Sequence, residues 1–128
     1  MIRNVNSGLV LDGSDFVVRV APLVGTYTQL WIFNKSTENP EAIIFTNVAN
    51  GRALYSWPYT KSVFCYDWAD TVYTRWFVEG DRRLVPAAYP QEFLYYGYGP
   101  LAISLRYGVS SDGTDEWVLV ESKENSET

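Results

Sequence analysis

Carboxylates and aromatic rings are the groups through which this chain can do chemistry, because its 128 residues include no histidine and a single cysteine. The acids recur in the pattern Asp-x-x-Asp: Asp12/Asp15, Asp67/Asp70 and Asp112/Asp115. Hydrolysis of a glycosidic bond needs two such acids flanking it. These pairs hold no fixed place, since their first members lie 19, 9 and 5 residues ahead of Trp31, Trp76 and Trp117. They read as turn residues, and no catalytic residue is assigned. Without histidine there is no imidazole base, and every triad built on one is excluded. Cys65, inside Val63-Phe64-Cys65-Tyr66, reads as a small buried hydrophobe. The sequence has no calcium-loop pattern, no cysteine cluster and no glycine-rich phosphate loop, so neither a metal nor a cofactor is expected.

The rings are more suggestive. Five tryptophans, ten tyrosines and six phenylalanines make up 16 % of the chain. Trp57 stands between Ser56 and Pro58, and Trp68 follows Asp67 with Asp70 close by; such turn residues favour exposure of both indoles. Tyr55 and Tyr59 flank the first of them. An exposed Trp beside an acid suits either a sugar ring or a protein hot spot. A net charge of −5 and a pI near 4.6 argue against nucleic acid, whose binding needs clustered cations. No apolar run approaches the roughly 18 residues that would span a bilayer, so membrane insertion is not expected. The first residues lack the charged-then-apolar pattern of a signal peptide, which makes a cytoplasmic or non-classically secreted protein the expectation.

Strands must position these groups, because helical periodicity is poor throughout. Short runs rich in Val, Ile, Tyr, Phe and Trp fall at residues 16–20, 30–33, 42–46, 62–66, 75–78, 101–105 and 116–120, separated by turn signals such as Asn6-Ser7-Gly8 and Asn50-Gly51. The chain is all-β. An internal repeat narrows the architecture. Trp31, Trp76 and Trp117 lie 45 and 41 residues apart and are preceded by Leu11, Leu54 and Leu94 at separations of 20, 22 and 23. The stretch from Arg3 to Asp12 aligns with Thr46 to Tyr55 at an offset of 43, and with Pro86 to Tyr95 at 40 more. Three units of about 40 residues with four short strands each make a β-trefoil: one domain over residues 1–120, repeats near 1–41, 42–81 and 82–120, and a polar tail at 121–128. Residues 34–41 read as an exposed linker between the first two repeats.

The first repeat resembles those of the ricin B-type lectins, whose signature is an N-x-x-S/T-G turn, a Leu-Asp pair and a closing Q-x-W. Here these are Asn4 to Gly8, Leu11-Asp12 and Gln29-Leu30-Trp31. The resemblance implies a non-catalytic lectin that binds glycans through shallow sites, with Asp12 accepting hydrogen bonds from sugar hydroxyls. The family's aromatic and Asn are missing, since Val18, Arg19 and Val24 lie where they would be expected. The first-repeat set is therefore Asp12 and Asp15 with Arg19, Tyr27 and Gln29. The alternative for two of them is structural: Asp12 caps its turn and Gln29 ties the hairpin to the barrel. In the second repeat Tyr55 stands in place of the acid, and Trp57, Asp67 and Trp68 join it as candidates. Tyr95 replaces the acid in the third. Glycans or glycoconjugates are the expected partners, with a homodimer as a further option. Two other readings stay open: a protein-binding trefoil such as a protease inhibitor, and a targeting module of a larger toxin or glycosidase.

Overall fold

The computed structural model describes residues 1–57, 62–80, 82–97, 103–107 and 112–120, with side chains at 103, 104, 106 and 107 left out. Twelve strands run through them in four-strand groups: β1 (Ile2–Asn4), β2 (Val10–Asp12), β3 (Arg19–Ala21) and β4 (Trp31–Lys35); β5 (Ile43–Asn47), β6 (Ala53–Ser56), β7 (Val63–Tyr66) and β8 (Trp76–Glu79); β9 (Arg83–Pro86), β10 (Glu92–Tyr96), β11 (Ile103–Tyr107) and β12 (Trp117–Leu119). A 3-10 turn, Tyr27–Gln29, precedes β4. The molecule is a β-trefoil. Antiparallel pairs β12–β1, β4–β5 and β8–β9 join each repeat to the next, while β2–β3, β6–β7 and β10–β11 form one hairpin per repeat.

The three tryptophans and three leucines are equivalent, and one bond links each pair. The indole N–H of Trp31 donates to the Leu11 carbonyl (3.3 Å), that of Trp76 to Leu54 (3.0 Å) and that of Trp117 to Leu94 (3.0 Å). All six side chains are buried, so each N–H would be orphaned without its carbonyl. Residues two beyond each leucine repeat the pattern: the amides of Gly13, Ser56 and Tyr96 donate to the carbonyls of Thr28, Tyr73 and Thr114. Phe45, Ile2, Leu84 and Val63 fill the space between.

Strand pairing also explains the turn motif and corrects its third copy. Trp117, Trp31 and Trp76 pair with Asn4, Asn47 and Pro86, so Pro86 is the counterpart of Asn4, one residue from the place the sequence alignment gave it. The Asn4 amide donates to the Thr114 carbonyl while its oxygen accepts from the N–H and hydroxyl of Ser7. Asn47 likewise donates to Thr28 and accepts from Ala49. Backbone bonds Gly8 to Asn4 and Gly51 to Asn47 close these turns, with both glycines at positive φ. Proline has neither the amide side chain nor a backbone N–H. The third turn is accordingly rebuilt around the Tyr89 N–H and the Pro86 carbonyl, with one extra residue before Leu94.

Several expected runs shift. The run at 16–20 contributes β3 only from Arg19, because Val17 leaves the hairpin to bridge Phe64 of the next repeat. The run at 101–105 becomes β11 two residues later. The supposed linker at 34–41 begins as part of β4, and Ser36 within it is buried. The polar tail at 121–128 lies outside the described residues.

Gly13 marks the tightest point of the first repeat. A Cβ there would meet Asn47 Nδ2 at 2.7 Å, the Trp31 ring at 3.0 Å and Cys65 Sγ at 3.1 Å. Gly13→Ala is expected to lower stability by about 1–3 kcal/mol, the usual cost of overpacking. Urea unfolding checks this; an unchanged midpoint would show that the three neighbours yield freely.

Candidate functional site

The first-repeat candidates lie close together, mostly engaged with one another. Asp12 and Arg19 are opposite partners in the β2–β3 ladder. The Asp12 carboxylate accepts the Ser14 N–H (3.0 Å) on one oxygen and, at 3.4 Å, the Gln29 amide on the other. Gln29 is buried; its oxygen accepts the N–H groups of Val24 and Gly25, and its amide donates to the Pro22 carbonyl. Asp12 thus caps its turn and Gln29 ties the 22–25 loop to the barrel. Arg19 turns to Asp15 (3.1 Å) in an exposed ion pair. Tyr27 is 64 % exposed beside Val24 and Leu23, also exposed.

The second repeat builds a different surface. Tyr55 occupies the place of Asp12 and pairs directly with Phe64 across β6–β7. Period-two alternation buries Val63 and Cys65 while Phe64 and Tyr66 face outward. Phe16 arrives from the first repeat, fixed by the Cys65 N–H donating to the Phe16 carbonyl and the Val18 N–H to Val63. Phe16, Tyr55, Trp57, Phe64 and Tyr66 line a hollow of about 560 Å³. Its rings pack at fixed angles: Phe16–Phe64 at 4.7 Å, Tyr55–Trp57 at 5.7 Å, and Tyr66 edge-on to both Phe16 (5.6 Å) and Tyr55 (5.7 Å). Burial and the neighbouring Tyr73 and Tyr66 push the Tyr55 hydroxyl up from its usual range, so it stays a neutral donor and acceptor. Phe64 and Tyr66 were missed in the sequence because the run Val63 to Tyr66 is apolar on both faces and its alternation does not show, and Phe16 because only the crossing bonds to Val63 and Cys65 bring it here. Tyr59 lies outside the described residues.

The remaining candidates separate. Trp68 is 49 % exposed, and its indole N–H donates to the Thr46 hydroxyl (2.9 Å), which donates to Asn34 Oδ1 (3.1 Å). Asp67 is exposed. Asp70, which the sequence set near this pair, faces inward instead: it accepts the Ser36 hydroxyl (2.7 Å), the Thr37 N–H and hydroxyl, and Arg75 Nε (2.7 Å). These bonds hold its carboxyl well below the usual carboxylate range. It locks the 36–37 turn to Arg75, just ahead of β8.

The other acids have structural tasks as well. Asp112 accepts the N–H and hydroxyl of Thr114. Asp115, in the place of Gln29, is fully buried 3.6 Å from Arg83 Nε. Among the described residues, no three His, Cys, Asp or Glu side chains converge as a metal site would need. Burial pushes the Cys65 thiol up to about 11, which keeps it protonated and unreactive.

No protein-family model matches the chain, and no curated protein does. Solved structures match over nearly its whole length. A mosquitocidal holotoxin superposes with a TM-score of 0.79 at 15 % identity, over 91 % of this chain and 16 % of the toxin. The designed threefold-symmetric protein ThreeFoil gives 0.77 at 18 %, over 94 % of this chain and 96 % of its own. The ricin B-like lectin of Macrolepiota procera, solved with lactose, gives 0.73 at 17 %, over 91 % and 90 %. At such identities the likeness is one of fold. The fold is the β-trefoil, and the structures sharing it are mostly carbohydrate-binding lectins.

Two measurements check these assignments. Asp70→Asn is expected to destabilise the protein at neutral pH. Because the carboxyl is held low in the folded state, its contribution is full above the ordinary value of about 3.9 and is lost as pH falls below it. The gap between wild type and variant in urea unfolding should therefore narrow between pH 5 and pH 2; a gap independent of pH would contradict the ion-pair assignment. Cys65 should resist a thiol reagent at pH 8 in the native protein and react in denaturant, whereas native labelling would show that the barrel opens there.

Proposed function

We propose that this chain is a non-catalytic carbohydrate-binding protein, and that the aromatic hollow of its second repeat is the principal site. The observation that carries the reading is the hollow itself: five rings, held open to solvent by register and ring packing, at the repeat position where Tyr55 replaces Asp12. The C–H faces of a pyranose lie against such rings, and the Tyr55 and Tyr66 hydroxyls can supply hydrogen bonds beside them. The volume falls within the roughly 300–1,000 Å³ range of small-ligand sites. Among the described residues no charged side chain lines it, which favours neutral sugars. The lectin neighbours support this reading through the shared fold, and the lactose complex of one of them shows a sugar bound by that protein.

Asp12 takes a lesser part. Each of its oxygens keeps a lone pair beyond the bonds to Ser14 and Gln29, so it could accept one sugar hydroxyl, with Tyr27 as the nearby ring and the Asp15–Arg19 pair at the edge. The match to 16 % of a toxin favours a second reading in which the same glycan-binding unit works as the targeting module of a longer protein.

A glycan array probed with the wild type, Tyr55→Ala and Asp12→Ala tests the reading. Neutral glycans should bind, with affinity falling by about tenfold or more in Tyr55→Ala and by less in Asp12→Ala. Equal urea midpoints would confirm that the variants are folded. Binding lost only in Asp12→Ala would move the site to the first repeat; no glycan bound by folded protein would overturn the proposal.

A further inference from the structure

The aromatic hollow does not end at Tyr66. Ile32, Thr46, Ala53 and Tyr66 are successive partners across β4, β5, β6 and β7, so their side chains share one face of the sheet in one row, with Ala53 fully buried beneath its neighbours. Three strand spacings separate the ends, roughly 14 Å. Tyr66 closes one end and belongs to the hollow, in contact with Phe16 and Tyr55. Ile32, 51 % exposed, stands at the other. Trp68 lies over the row, since its indole N–H bonds the Thr46 hydroxyl at its second position.

That bond makes Trp68 more than a loose surface ring. The Thr46 hydroxyl donates in turn to Asn34 Oδ1, so the indole is fixed at one edge by two linked hydrogen bonds while half of its surface faces water. A ring with little rotamer freedom left to lose binds at lower entropic cost than a mobile one. Thr46 and Asn34 place a hydroxyl and an amide beside it, and those groups can also meet sugar hydroxyls. The row contains no charged residue, and the net charge of −5 disfavours an acidic ligand. Two aromatic rings, Tyr66 and Trp68, with the neutral hydroxyl of Thr46 and amide of Asn34 beside the second, fit a chain of neutral sugars better than an apolar or ionic partner.

We infer that Trp68 is a second subsite, continuous with the hollow through Tyr66, and that the ligand is a neutral oligosaccharide laid across β4–β7 rather than a single sugar. The inference rests on the carbohydrate reading of the hollow. Thr46, under Trp68, and Tyr66 stand two strand spacings apart, roughly 10 Å, so a sugar seated in the hollow leaves Trp68 to a neighbouring unit.

Titration calorimetry with neutral glucan, galactan and chitin-type oligosaccharides of one to four units tests it, using the wild type, Trp68→Ala and Thr46→Val. In at least one series affinity should rise about tenfold or more with length. Trp68→Ala should abolish that rise and leave monosaccharide binding unchanged, and Thr46→Val, which frees the indole but keeps it, should reduce the rise in part. Affinity independent of length, or a rise untouched in Trp68→Ala, would overturn the inference while leaving the hollow as a sugar site. No binding of any series would also overturn it, and the array result then decides whether the carbohydrate reading falls as well.

Discussion

Three indole-to-carbonyl hydrogen bonds organise this molecule. Each spans 20 or more residues, from Trp31 to Leu11, Trp76 to Leu54 and Trp117 to Leu94, and each is shut away from water. A buried tryptophan contributes a large apolar area, but its N–H must find a partner or cost roughly 1–3 kcal/mol. The leucine carbonyl meets that need while the leucine side chain packs in the same core. Three repeats of one solution bring twelve short strands to a common centre, although no single repeat could bury its own apolar face.

Departures from that symmetry make the candidate site. In the first repeat the turn after Asp12 is drawn across by the Phe16–Cys65 and Val18–Val63 backbone bonds, which carries Phe16 onto the second repeat. Gly13 permits the close approach, since any side chain there would collide with Asn47 and Cys65. In the second repeat Tyr55, Phe64 and Tyr66 supply rings on the outer face of a hairpin whose inner residues are core. The third repeat diverges at its turn, where Pro86 cannot make the bonds of Asn4 and Asn47.

The frame was legible in the sequence because its determinants are large, rare and periodic: three tryptophans, three leucines, and two asparagine turns that glycine completes. The hollow was legible only in part. Tyr55 and Trp57 stood out beside turn residues, but Phe16 joins them through a tertiary crossing that no local pattern reports. Phe64 and Tyr66 hide in a run that is apolar on both faces. The acids were read as turn residues, and most of them serve turns in the fold. Asp70 binds the Ser36–Thr37 turn, Asp112 accepts from Thr114 in its own turn, and Asp115 is buried beside the half-buried Arg83. Side-chain hydrogen bonding to nearby backbone is what turns most often ask of an aspartate. The family resemblance pointed to Asp12, and the structure shows how much of its carboxylate the turn and Gln29 already use.

The most direct test of this account is an NMR titration that follows aromatic side-chain resonances as a neutral oligosaccharide is added. The rings of Phe16, Tyr55, Trp57, Phe64 and Tyr66 should shift together and saturably, while the side-chain amide of Gln29 stays in place. Shifts confined to Gln29 and the loop around Val24, with the five rings unmoved, would contradict it.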